Sequence, residues 1–309
     1  MISSEVRSLE SFPLVTVFTL IYNTNPRFVI EAIESVRANN YPNLQHIIID
    51  DCSPNPEPKR VVKEWINREK YLCEFYEHEV NYGVCKTLNH VLELAKGKYL
   101  LGCSDDLITV DRIFNDVEIF NSLSEEYAIV FGLTQEINSS SQLQPRVFPN
   151  LIVPNQDNYW SLLINKNVFP APSTTYRVCA LKEVGGFNEN LSFEDYEINL
   201  RFSYCNYRFK CIPKINSFYR IHDKSMSQRL NFEIERIKIL SLFKDRNEVK
   251  EILFKQIWLM AYHKKDGYRD SIQVFEKAYS KSLKLRFISY MKSKRLIRLS
   301  NKIFKLDRI

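Results

Sequence analysis

A chain of 309 residues with 45% hydrophobic and 26% charged side chains has the composition of a globular protein, and its 17 Tyr and 20 Phe argue against disorder. No apolar run approaches the ~18–20 residues that cross a bilayer. The seven cysteines never form Cys-x-x-Cys, which argues against a zinc ribbon or disulfide scaffold and for reduced thiols in the cytoplasm. The net charge of +6 is uneven: residues 228–309 hold 21 Lys and Arg against 9 Asp and Glu. Met1 to Ser11 carries Glu5 and Glu10 and no apolar segment, so the expectation is a protein that is not exported.

Val15–Ile21 is a continuous apolar, β-branched run, as a buried parallel strand should be. It stops at Tyr22-Asn23-Thr24-Asn25-Pro26, a helix start, and Phe28, Ile30, Ala32, Ile33 and Val36 mark the inner face of the helix. A second strand, Leu44–Ile49, ends at Asp50-Asp51. The prolines of residues 52–58 predict a loop, followed by a helix over 61–68 and a strand over 73–77. Asn81-Tyr82-Gly83 is a turn, 84–96 a helix with Gly97 as its C-cap, and 99–103 a strand that ends at Asp105-Asp106.

A helix from near Thr109 to Leu123 and a strand over 127–133 follow. Residues 134–173 lose the rhythm and read as cleft-lining loops. A helix opens near Glu194-Asp195, short strands cover 209–212 and 218–221, and helices are expected over 229–243, 247–263, 268–281 and 284–305. Strands alternating with helices predict an α/β protein with a mostly parallel sheet and a helical C-terminal extension.

Carboxylates recur at Asp50-Asp51, Asp105-Asp106 and Glu194-Asp195. In a parallel sheet the carboxyl ends of the strands share one edge, where ligands bind. An isolated Asp-Asp pair is as readily a polar turn; three acidic clusters converging on one cleft favour a site. Asp105 and Asp106 would hold a divalent cation and the phosphates it carries, because adjacent like charges need a positive partner.

Six blocks carry a resemblance. They are Val15–Asn23, Ile47–Ser53, Asn81–Asn89, Gly97–Leu100 with Ser104–Asp106, Gly185-Gly186-Phe187, and Glu194–Arg201. In their order and spacing the chain resembles the family 2 glycosyltransferases of GT-A (Rossmann-like) fold. The resemblance spans residues 12–228, implying a nucleotide-sugar-binding catalytic domain there and leaving 229–309 as a basic helical region. It implies inverting transfer of a sugar from a nucleotide diphosphate sugar, preferably a UDP-sugar, to a glycan or lipid-linked acceptor in polysaccharide or glycolipid synthesis.

By the same resemblance, Tyr22, Asn23, Asp51, Asn81 and Lys86 line the nucleotide site, and Asp105 binds ribose or assists the metal. Asp106 coordinates Mn²⁺ or Mg²⁺, and Asp195 is the catalytic base. Glu194 shapes the acceptor pocket, and His222 resembles a residue that closes over the diphosphate and in some members ligates the metal. The pattern departs at Leu20-Ile21, where many members have Pro-Thr; at Cys103, where some have a first Asp; and at Leu88, which replaces a basic residue.

Three residue-level alternatives stay open. His222 also reads as a structural histidine at a strand end. Trp160 reads as a sugar platform in the acceptor cleft or as a core aromatic. The tail from Lys277 holds 11 basic residues and one acid, interleaved with apolar ones. It suits the anionic inner face of a membrane as a peripheral contact, or is a solvated face. Nucleic acid is not an expected partner, since no binding module is recognisable. The competing functional classes are a catalytically silent scaffold subunit and a sugar-nucleotide pyrophosphorylase, the latter disfavoured because no Gly-rich phosphate loop follows the first strand.

Overall fold

The computed structural model describes residues 12–149, 159–222 and 232–262. The chain divides into two units, residues 1–163 with 167–225, and residues 164–166 with 226–309.

The first unit is built on one sheet. Its N-terminal half is parallel: β1 (Val15–Ile21) lies between β2 (Leu44–Asp50) and β4 (Tyr99–Gly102), and β3 (Glu74–Glu77) pairs with β2. The crossovers are α1 (Pro26–Ala38), α2 (Glu57–Glu69) and α3 (Val84–Leu94). Val15, Thr16, Val17, Thr19 and Ile21 of β1 are fully buried and Phe18 and Leu20 partly so, which covers both faces as a parallel strand requires. Val15, Val17 and Leu101 pack with Ile113, Val117 and Phe120 in one core cluster; Ile21, Val29, Ile33, Ile48, Val62 and Trp65 form another. Each fully buried aliphatic side chain contributes about 1.5–3 kcal/mol.

The sheet continues in mixed direction. β8 (Thr174–Arg177) runs antiparallel to β4 and to β6 (Tyr127–Ile137). β9 (Arg208–Arg220) is parallel to β6, and the two-residue β5 (Leu107–Ile108) is antiparallel to β9. The order is β3-β2-β1-β4-β8-β6-β9-β5, with β7 (Leu143–Phe148) on β6. Between them lie α4 (Arg112–Asn121), the short α5 (Tyr159–Leu163), α6 (Val178–Glu183) and α7 (Asp195–Tyr204).

Arg112, fully buried on α4, locks this half together. Its guanidinium donates to Asp116, to the carbonyls of Pro172 (2.5 Å) and Thr174 (3.1 Å), and to Thr175 Oγ1. The three-residue turn Ala171–Ser173 and the start of β8 are thereby pinned to α4.

Several boundaries differ from the sequence expectations. Residues 134–148 are not loop: β6 runs on to Ile137 and turns through Asn138, whose Oδ1 accepts from Ser140 and Gln142, into β7. The two short strands of 209–221 are one strand, β9. The helix expected from 61 starts at Glu57, because Pro58 in a first turn removes only an N–H that has no helical partner.

Gly97 is not a left-handed cap, since α3 ends at Leu94 and is capped by Ala95 in an extended conformation. A Cβ at Gly97 would lie 2.5 Å from the Thr16 nitrogen, so glycine there answers a close approach to β1. The helix expected from Thr109 begins at Arg112, with Thr109 supplying a carbonyl to its first amide.

In the second unit, α8 (Phe232–Ser241) and α9 (Asn247–Tyr262) bury Ile237, Leu240, Val249 and Leu253. Arg236 crosses between them to Gln256 Oε1 at 2.7 Å and also bonds the carbonyls of Ile164 and Asn165. The helices expected over 268–281 and 284–305, and the basic tail 277–309, lie outside the described residues. Among those described, no helix is long and apolar enough to cross a membrane.

Candidate active site

The register Ile21↔Asp50 brings Tyr22-Asn23 and Asp51-Cys52-Ser53 to one edge of the sheet. Asp50 is a structural carboxylate: fully buried, it accepts from Ser53 N–H (3.1 Å) and Ser53 Oγ (2.6 Å). Ser53 Oγ in turn accepts from the Asn23 amide at 2.9 Å, fixing the loop after β1 against the loop after β2. Asn23 takes a left-handed conformation (φ 56°) and Tyr22 projects with 51% of its surface exposed.

Asp51, by contrast, is nearly enclosed. Its Oδ1 accepts the Tyr82 amide (2.9 Å) and His78 Nδ1 (2.8 Å), and its Oδ2 accepts the Gly83 amide (2.9 Å). Asn81 donates to the Asp51 carbonyl at 3.2 Å, and Lys86 Nζ sits 4.1 Å over the Tyr82 ring. The five residues expected to line a nucleotide therefore share one loop cluster at the carboxyl ends of β1 and β2 and the start of α3.

A second cluster follows β4. Thr19 Oγ1 donates to the Cys103 carbonyl (2.5 Å), and the Leu20 amide donates to Ser104 Oγ (3.0 Å), so Asp105 and Asp106 emerge directly beside β1. Asp106 Oδ1 accepts the Arg220 amide at 2.8 Å. Arg220 Nε donates to the Asp105 carbonyl at 2.8 Å, and His222 Nε2 lies 3.0 Å from Asp105 Oδ2. Burial first, then the neighbouring Asp105 charge, pushes the Asp106 carboxyl well above the usual range; the Arg220 amide and the Arg220 and Arg112 charges oppose this.

Arg220 was not singled out in the sequence, yet its buried guanidinium also bonds Glu31 of α1 and Ser141 of the β6–β7 turn (both 2.8 Å) and covers the Phe28 ring at 4.5 Å. The only hint was a basic residue at the end of an apolar strand.

Third is the start of α7. Asp195 Oδ2 accepts from Asn167 Nδ2 at 2.7 Å, and Asn199 backs Asn167 at 3.3 Å. Burial raises the Asp195 carboxyl to about 6, against the pull of the Tyr196 amide and Asn167. Burial, then Asp195, raises Glu194 to about 7, and Glu194 Oε2 is buried without a hydrogen-bond partner among the described residues. The pair faces Cys85 of α3, pushed up to about 12 by burial and then these carboxylates, and Tyr176 of β8, also raised by burial.

Asn89 of α3 ties this region to the helix that follows the Asn81–Gly83 turn. Its side chain bonds both the N–H (2.8 Å) and the carbonyl (2.9 Å) of Phe187, and a Cβ on Gly186 would lie 2.6 Å from its Oδ1. Trp160 of α5 packs on Tyr204 (ring centroids 5.9 Å), the last residue of α7.

The geometry fits a known architecture. The model of glycosyl transferase family 2 matches residues 16–185; the chain belongs to that family. Among curated relatives, protein y4gI of Sinorhizobium fredii is 28% identical over 204 residues, 65% of this chain and 21% of its own length. The chain spans about a third or less of the first relatives it matches.

Two solved structures share the GT-A glycosyltransferase fold. S. aureus TarS 1–349 in complex with UDP-GlcNAc superposes with TM-score 0.62 at 16% identity, over 96% of this chain and 91% of that one. The mannosyltransferase PcManGT of Pyrobaculum calidifontis, in complex with GDP-Man and Mn²⁺, gives 0.60 at 13% identity, over 96% and 88%.

Proposed function

We propose that this chain transfers a sugar from a nucleoside diphosphate donor to a hydroxyl of a glycan or lipid-linked acceptor, inverting the anomeric carbon. The carrying observation is Asp195: a carboxylate at a helix start, aimed by Asn167 and raised by burial to about 6. A base with that pKa is ionised at neutral pH and still takes up a proton readily. It would accept the hydroxyl proton as the acceptor oxygen bonds the anomeric carbon, while the carbon–oxygen bond to the diphosphate breaks and its electrons leave with the diphosphate. One base and one displacement give inversion.

Residues 12–228 would hold this chemistry, with 229–309 as an appended basic region. Asp51, with Tyr22, Asn23, Asn81 and Lys86, would hold the nucleotide; an acceptor carboxylate suits the imide N–H of uracil, our preferred base, and equally of thymine or guanine. Glu194 would border the acceptor, and Trp160 packs beside Tyr204.

Asp106, with His222 and Asp105 beside it, would hold Mn²⁺ or Mg²⁺. Two carboxylates and an imidazole are suitable donors for such an ion. Among the described residues no three such groups are spaced to enclose an ion by themselves. When bound, the ion neutralises the charge that develops on the departing diphosphate.

A thermal-shift screen of UDP, dTDP and GDP with Mn²⁺, followed by nucleotide-sugar hydrolysis, tests the reading. Metal-dependent hydrolysis that disappears in Asp106→Ala is expected. A protein that binds no nucleotide with metal present, or a product that keeps the donor configuration, contradicts it.

A further inference from the structure

Asp51 is met on one side by a histidine that no sequence pattern marked. His78 follows β3 and is fixed through its own amide, which donates to the Asp50 carbonyl at 2.9 Å. Its Nδ1 reaches Asp51 Oδ1 at 2.8 Å, and its Nε2 lies 2.9 Å from Nδ1 of His90 on α3. The two imidazoles stack, with centroids 5.1 Å apart and planes 24° from parallel. Tyr82 closes against His78 edge-on at 4.8 Å and Tyr76 against His90 at 5.8 Å. His78 is almost wholly enclosed, with 6% of its side chain exposed.

The direction of this chain follows from its end. An ionised carboxylate only accepts, so His78 Nδ1 carries a hydrogen. In neutral His78 the other nitrogen is then bare and accepts from His90 Nδ1–H, which fixes the tautomer of both rings. Asp51 thus receives three donors on two oxygens: Oδ1 takes two and Oδ2 takes one, from Gly83. A carboxylate oxygen has two lone pairs, so one acceptor position is left on Oδ2 while the plane of the group is held by the other three bonds. An isolated aspartate in a loop would rotate about χ2; here three hydrogen bonds oppose that rotation.

We propose that His78, oriented by His90, is a positioning residue for the nucleotide base. It holds the Asp51 carboxylate and the Tyr82-Gly83 backbone in one fixed geometry, so the remaining acceptor position on Asp51 is presented to a base N–H without reorganisation. This rests on the reading of Asp51 as part of a nucleotide site. The contribution is to ground-state binding of the donor, far from the reacting atoms, so it belongs in KM and not in kcat.

The test uses the full chain, UDP with Mn²⁺ and UDP-sugar hydrolysis. Asn carries an amide nitrogen where histidine has Nδ1, so His78→Asn keeps the donor to Asp51 and His78→Ala removes it. His78→Ala is expected to weaken UDP binding and raise the donor KM about tenfold, the scale of losing one hydrogen bond to a charged acceptor, with kcat within about twofold. His78→Asn recovers most of that loss. His90→Phe, which keeps the ring on Tyr76 but removes the donor, gives a smaller rise in KM in the same direction.

Nitrogen NMR of the imidazoles, which needs no ligand, is expected to show His78 as the Nδ1–H tautomer. An unchanged KM in His78→Ala, or an Asn variant no better than Ala at equal thermal stability, overturns the positioning role alone. A wild-type protein that binds none of UDP, dTDP and GDP overturns the nucleotide reading, and this inference falls with it.

Discussion

The carboxyls of Glu194 and Asp195 are neighbours in one poorly solvated pocket, so the first to ionise makes the second harder to ionise. Asp195, held by Asn167 and the helix amides, ionises first, and Glu194 stays protonated to about 7. The rate of donor turnover should therefore rise with pH through about 6 and level off above it. Glu194→Gln copies the protonated neighbour and is expected to leave that limb near 6; a displacement of more than a unit in the pH–rate profile contradicts the assignment. Asp195→Asn is expected to lower kcat by ~10²–10⁴.

The same shifts bear on stability. Both carboxyls are raised by folding, so between about pH 4 and 7 the folded state binds more protons than the unfolded one, and this pair's contribution falls as pH rises. Melting temperatures of Glu194→Gln should exceed wild type at pH 8 and converge with it near pH 4. Paired acids announce themselves in sequence, which is why Asp106 and Asp195 were visible there. Asn167 and His78 were not, because they meet their partners 28 and 27 residues away, and nothing local marks an asparagine or histidine for that.

Among elements, the parallel half was readable because buried parallel strands are continuous apolar runs and their helices carry a one-sided apolar period. The mixed half was not. β9 contains Pro213, which cannot donate to a ladder and so divided the strand in two on the page. In the fold Phe131 pairs with Cys211 and Leu133 with Ile215, so the proline lies in an irregularity and the strand continues past it.

What aligns this half is the Arg112–Asp116 pair at full burial, where burial raises the Asp116 carboxyl against the pull of Arg112. Asp116→Ala would leave a guanidinium enclosed without its counter-ion, a loss of about 3–5 kcal/mol. Urea unfolding should register it as a lower midpoint at unchanged slope, and a shift under about 1 kcal/mol would deny the pair that role.

At the scale of the molecule, the charge is divided as the work is proposed to be. Acidic clusters gather at the sheet edge of the first unit, and the basic excess lies beyond residue 228. If the region from Lys277 serves an anionic surface, the full chain should sediment with vesicles containing phosphatidylglycerol and not with phosphatidylcholine alone. That binding should fade as salt rises, and deletion of 277–309 should abolish it. Equal partitioning of the deleted and full chains would leave the tail as a solvated face.

Arg220 has a consequence in time as well as space. Its side chain closes on residues 79, 115 and 189 positions away in the chain. Contacts of such separation carry a loop-closure cost that must be met before they give anything back, and they slow folding. The loop of Asp105 and Asp106, proposed to hold the cation, is therefore expected to reach its final shape once β9 has docked, after β1 and β2 have paired. In refolding followed by pulsed hydrogen exchange, the amides of β1 and β2 should gain protection before that of Arg220, and the proposed Mn²⁺ binding should appear with the later phase.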